Sequence, residues 1–102
     1  MDRGRRITWT LEPRKERREI LSYWTKRNKS NSYSVKLRKH IEEKVLFISA
    51  NPDCGIPTEV ECVNYVVLRE CLIFFQETKE EILILSIWDG RQNPEKLQTR
   101  LE

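Results

Sequence analysis

The sequence predicts one α+β domain in the order β-α-α-β-β-β: an N-terminal strand, then an antiparallel two-helix hairpin packed on an antiparallel sheet. Three observations carry that expectation. Between residues 33 and 48 apolar residues recur at steps of three and four, the spacing of one helix face. Between residues 63 and 88 the period changes to three short runs rich in β-branched and aromatic residues. The chain has 102 residues, enough for one modest core and too few for two domains, so residues 1–102 are expected to form a single unit.

Each element has its own local warrant. Arg6-Ile7-Thr8-Trp9-Thr10 alternates polar and apolar, as a strand with Ile7 and Trp9 facing inward would. Thr10 is the expected cap of a first helix, which tolerates Pro13 in its first turn because an N–H there has no intrahelical partner. That helix should run to about Asn28, with a narrow apolar face of Ile20, Leu21 and Trp24 beside Tyr23. Asn28 to Ser32 is a polar break with Ser32 as the expected second cap. Tyr33, Leu37, Ile41, Val45 and Ile48 then form the stripe of the second helix, and Leu46 beside Phe47 should widen it. Glu42 and Glu43 stand at pairing distance from Lys39 and Lys44.

Asn51-Pro52 ends the second helix, and Asp53 to Pro57 reads as a turn-rich loop. Val63 to Leu68, Cys71 to Phe75 and Ile82 to Trp88 are the three strands, joined by Arg69-Glu70 and by Gln76 to Glu81. Their near-continuous hydrophobicity implies cover over much of both sheet faces. The helical hairpin can cover one.

Composition narrows the chemistry. No apolar run reaches the ~18–20 residues of a membrane helix, and the basic N-terminus lacks a signal-peptide core, so the expected location is the cytoplasm. Three cysteines, an odd number without CxxC spacing, fit neither a disulfide framework nor a zinc site. Cys62 and Cys71 sit in strand contexts and read as small core residues, with Cys54 in a loop. The single histidine, His40, falls beside the second helix's core stripe and reads as a flank residue. No Gly-rich phosphate loop or nucleophile elbow is present, and Asp89 stands alone where a hard cation would need several oxygens. No cofactor and no metal are expected.

Charge is unevenly spread. Residues 1–50 carry 14 Lys and Arg against 6 Asp and Glu, a balance of +8; residues 51–102 carry 5 against 10, a balance of −5. A basic first half invites a nucleic acid or an acidic protein. The segment from Trp88 leaves the apolar run abruptly: Trp88-Asp89-Gly90-Arg91-Gln92-Asn93-Pro94 sets polar groups at the end of a strand. Arg91 offers a planar fork of donors for phosphate or carboxylate. Trp88 supplies either a stacking surface or the last piece of core, and Asp89 can hold a turn around Gly90.

These residues carry a resemblance. Trp9-Thr10, the helical hairpin, Pro52-Asp53-Cys54-Gly55, Leu72-Ile73-Phe74-Phe75 and above all Ile87 to Pro94 resemble the RelE/ParE superfamily of type II toxin–antitoxin toxins. The likeness spans about residues 6–97. It implies a microbial ribonuclease-like α+β fold and a bacterial growth-inhibiting toxin, of the plasmid-stabilization kind, neutralised by a cognate antitoxin. The RelE-like branch cleaves mRNA on the ribosome without a metal; the ParE-like branch poisons DNA gyrase.

On the first reading Arg91, with Arg69 from the neighbouring turn, would be the catalytic cations. Trp88, Asp89, Gln92 and Asn93 would touch the target or a nucleic acid. The acidic antitoxin segment would lie on the basic helices at Arg14, Arg17, Arg18, Lys36 and Lys39, leaving a higher-order toxin–antitoxin complex open. RelE-like nucleases carry an arginine where this chain has Cys71-Leu72, and a tyrosine or histidine where it has Gln92-Asn93-Pro94. Those departures lean toward the ParE-like branch. The alternatives are a RelE-type ribosome-dependent endoribonuclease, and a non-catalytic member keeping only the fold and antitoxin binding.

Overall fold

A computed structural model describes residues 5–69 and 71–89. Strand β1 (Arg6–Trp9) leads into helices α1 (Leu11–Asn28) and α2 (Ser32–Ala50). A 3-10 turn (Pro52–Cys54) follows, then β2 (Ile56–Pro57), β3 (Val63–Leu68), β4 (Cys71–Glu77) and β5 (Glu81–Asp89). The five strands form one sheet in the order β1-β5-β4-β3-β2. The β3–β4–β5 meander is antiparallel as expected. β1 enters the sheet parallel to β5, with Trp9 opposite Ile84, and makes the sheet mixed. A parallel neighbour needs a long crossover, and the two helices with the remaining strands supply it. The two-residue β2, on residues read from sequence as loop, pairs antiparallel with β3 and borders the far edge.

The helices lie on one face. Ile20 of α1 and Leu37, Ile41, Val45 and Ile48 of α2 meet Val66, Ile73, Phe75, Ile82, Ile84 and Ile87 in one buried cluster, with Ile7 and Trp9 packed at its margin. The hairpin is closed near its loop by Trp24, whose ring stands edge-on to Tyr33 at 5.1 Å, and by a hydroxyl contact between Thr25 and Ser34. At the other end of α2, Arg5 N–H donates to the Ser49 carbonyl at 3.1 Å and the Ser49 hydroxyl to the Arg5 carbonyl. These bonds satisfy backbone groups where β1 begins. On the opposite sheet face Val63, Phe74 and Trp88 form a second cluster with Val60, Tyr65, Leu72 and Leu85.

Four local expectations are corrected. Thr10 does sit at the start of α1, but its side chain makes no cap bond there; its hydroxyl donates to the Ile84 carbonyl at 3.1 Å, which the pairing of Trp9 with Ile84 brings alongside. Asn31, not Ser32, precedes α2, and Ser32 is already helical, its N–H donating to Ser30 Oγ at 3.2 Å. Leu46 and Phe47 do not widen the core face; they are 63% and 50% exposed. At about 100° per residue, each lies a third of a turn from its buried neighbour, Val45 or Ile48, on opposite sides of the stripe. Cys62 is exposed, with left-handed φ of 67°, in the turn before β3, whereas Cys71 is buried in β4.

Candidate functional site: a cationic groove on the helical hairpin

Successive turns of α1 set Arg14, Arg17, Arg18 and Leu21 on one strip, since residues three and four apart share a helix face. Arg38 of α2 faces them, and together the five side chains line an open groove of about 370 Å³. Arg38 stands one position beyond Leu37, which turns it from the core toward α1. It also approaches Glu42 at 3.8 Å, one turn along. Arg14, Arg17 and Arg18 form no ion pair among the described residues. Arg17 instead lies over the Trp9 ring, 4.6 Å from its centroid, a cation–π contact. Partial burial, followed by the like charges of Arg38 and Arg14 with Glu42 opposing, pulls the Arg17 guanidinium below its ordinary pKa.

The structure therefore brings Arg14, Arg17 and Arg18 together and adds Arg38, which sequence reasoning missed. The signal for Arg38 was its place beside Leu37, on the flank of α2 that an antiparallel partner helix must face. Lys36 and Lys39 are exposed on α2 and do not line the groove.

The end of β5 is differently built. Trp88 is 7% exposed and belongs to the second cluster, so it completes core and presents no free stacking face. Asp89 is buried at the strand end, opposite Cys71. Arg69 is exposed in the β3–β4 turn with left-handed φ of 53°, and the Leu68–Cys71–Asp89 register sets that turn at the sheet end where β5 leaves. Arg91, Gln92 and Asn93 lie outside the described residues.

Glu16 of α1 reaches β5 just before this end. Ser86 Oγ donates to both its carboxylate oxygens at 3.0 and 3.2 Å, and the Ile87 N–H to one of them at 3.1 Å. The contact adjoins a register shift: Phe74 faces Ser86 while Phe75 faces Ile84, and Leu85 is the extra residue of a bulge.

A second hollow, of about 260 Å³, lies on the other flank of α2 between His40, Glu43, Lys44, Phe47 and Leu68. Lys44 Nζ stands 5.5 Å from the Phe47 ring. Burial pushes the Cys54 thiol above its ordinary pKa, against the pull of Lys44, which opposes nucleophile chemistry there. Among the described residues no group of three His, Cys, Asp or Glu side chains is placed to hold a metal, and no helix is long and apolar enough to cross a membrane.

A small mixed sheet, layered on one face by a hairpin of basic helices, defines an α+β protein with a groove lined by arginine. The model of one family, "ParE toxin of type II toxin-antitoxin system, parDE", matches residues 7–94. The chain belongs to that family of type II toxins. A solved structure described as "Chromosomal ParDE TA system from P. aeruginosa" shares the fold: TM-score 0.74 at 23% identity, over 86% of this chain and 98% of that one. No curated protein matches the sequence.

Proposed function

We propose that the protein is the growth-inhibiting half of a toxin–antitoxin pair, acting in the cytoplasm and held inactive by an antitoxin encoded beside it. The observation that carries this reading, within the family, is the basic hairpin. Arg14, Arg17 and Arg18 form no ion pair among the described residues, and Lys36 and Lys39 stand exposed on the neighbouring helix. An acidic antitoxin segment is the counterpart of that face. Exposed Leu46, two turns along α2 from Lys39 on the same flank, gives such a segment the apolar footing that charge alone does not supply.

For the target, DNA gyrase is favoured over mRNA on the ribosome. Cys71 is buried where RelE-like nucleases carry an arginine, and Trp88 is engaged in core. Phosphodiester cleavage needs several cations around the developing charge, and the described end of the sheet offers Arg69. Controlled induction tests both levels. The expected result is growth arrest, relieved by co-expression of the adjacent gene, with intact mRNA and gyrase trapped on broken DNA. Absence of arrest would remove the toxin reading. Arrest with cleaved mRNA and free gyrase would transfer the target to the ribosome and make Arg69 and Arg91 the residues to mutate.

A further inference from the structure

The α1–α2 groove holds four guanidinium groups around a single apolar side chain, Leu21. A protein–protein interface of ordinary kind has an apolar centre and a polar rim, whereas nucleic-acid interfaces are polar and strongly positive. Arginine, rather than lysine, lines the groove throughout, and its planar fork matches phosphate oxygens two at a time. The spacing is also suitable. Arg14 and Arg18, one helical turn apart, are separated by about 6 Å of helix rise, close to two steps of one nucleic-acid strand at about 3.4 Å each. Glu42 stands 3.8 Å from Arg38, and Arg14, Arg17 and Arg18 form no ion pair among the described residues, which leaves them to face an external anion. Trp9, beside them, is covered by Arg17.

The geometry points to this groove as a site for the phosphate backbone of a nucleic acid, held by Arg14, Arg17, Arg18 and Arg38 without reading the bases. Backbone contacts of this kind position a protein on its nucleic acid and carry no sequence information. The site goes beyond the toxin reading. It shares Arg14, Arg17 and Arg18 with the face proposed for the antitoxin, so a bound antitoxin would exclude nucleic acid there.

The test is fluorescence anisotropy of the purified full chain with labelled single-stranded DNA, duplex DNA and RNA of about 20 nucleotides and mixed sequence. A glutamate-rich peptide serves as the protein-like probe. Four phosphate contacts on duplex DNA predict a log–log salt slope of about −3.6, or about 150-fold weaker binding at 200 mM than at 50 mM salt. Arg17→Ala/Arg38→Ala should halve the slope and leave about a 12-fold loss over the same range. Arg14→Ala/Arg18→Ala, at two exposed positions, should do the same with the fold intact by circular dichroism. Lys26→Ala/Lys79→Ala removes equal charge at two exposed positions outside the groove and should bind as wild type. Equal losses in the lysine and arginine pairs would reduce the effect to general surface charge and overturn the site. So would arginine-dependent binding of the peptide with no binding of any oligonucleotide at 50 mM salt, an outcome that leaves the antitoxin reading standing. Failure of the antitoxin reading is seen separately, when the adjacent gene product does not co-purify with the wild-type chain.

Discussion

Replacing Glu16 by alanine tests the contact that ties α1 to the end of β5. In the native chain its carboxylate takes hydrogen bonds from the Ser86 hydroxyl and the Ile87 amide at 3.0–3.2 Å. Both donors belong to residues almost wholly buried, Ser86 at 0% and Ile87 at 1% exposure. Alanine would strand both, and each buried donor without a partner costs about 1–3 kcal/mol. Glu16 is itself half-buried, and water entering the vacated space would recover part of that loss, so the net destabilisation expected is about 2–3 kcal/mol. For a domain of this length that corresponds to a fall in Tm of roughly 10–20 °C.

Glu16→Gln keeps one acceptor oxygen and loses the charge. Its expected cost is smaller, about 1 kcal/mol. Urea melts followed by circular dichroism and by tryptophan fluorescence measure both variants. Trp88 lies directly after the pinned residues, so its emission should shift even where the melt is displaced only slightly. An alanine variant within about 0.5 kcal/mol of wild type would refute the reasoning, since that is the range of an ordinary surface change.

Three further outcomes follow from the packing. Gly55→Ala would set a Cβ 2.6 Å from Phe75 Cζ and 2.8 Å from Asn64 Cβ, and should cost about 1–3 kcal/mol in a thermal melt; an unchanged Tm would show that the ring moves freely aside. Leu46→Ser should leave stability within about 0.5 kcal/mol of wild type while weakening antitoxin capture at least about fivefold, and undiminished capture would remove the apolar footing from the proposal. With a thiol reagent near neutral pH, exposed Cys62 should react first and Cys54 more slowly, with Cys71 silent until unfolding. Burial raises the Cys54 pKa, so its thiolate, and hence its labelling, should grow only as the pH rises above the range of a free thiol. Equal rates for Cys54 and Cys62 at neutral pH would contradict that environment.

Much of the architecture was legible because its determinants are local. The steps of three and four from Tyr33 to Ile48 and the β-branched runs after Val60 each report the period of their own backbone, and the observed helices and meander follow them. Misreadings cluster where a neighbour distant in sequence competes for the same group. The Thr10 hydroxyl donates to the Ile84 carbonyl, 74 residues away, and caps no N–H of its own helix. The run containing Leu46 and Phe47 looked like a wider apolar face because four consecutive apolar residues, Val45 to Ile48, cannot declare which of them the sheet will cover. Trp88 had two readings in the sequence, platform or core, and the second cluster around Phe74 chose core.

The candidate site divides in the same way. Chain composition placed the positive charge in the first half, and helical spacing put Arg14, Arg17 and Arg18 on one strip. Both follow from residue type and the 3.6-residue turn. That Arg38 completes the groove, that Lys36 and Lys39 stand apart from it, and that Arg17 rests on Trp9 were settled by the way α2 folds back against α1 and β1 joins β5. Sequence by itself determined the two helices, β1 and the β3–β5 meander, together with the sign of the charge on each half, because those properties depend on nearest neighbours along the chain. The parallel seat of β1, the two-faced core and the arginine groove depend on contacts between residues far apart in the sequence, and these exist only once the hydrophobic faces have found one another.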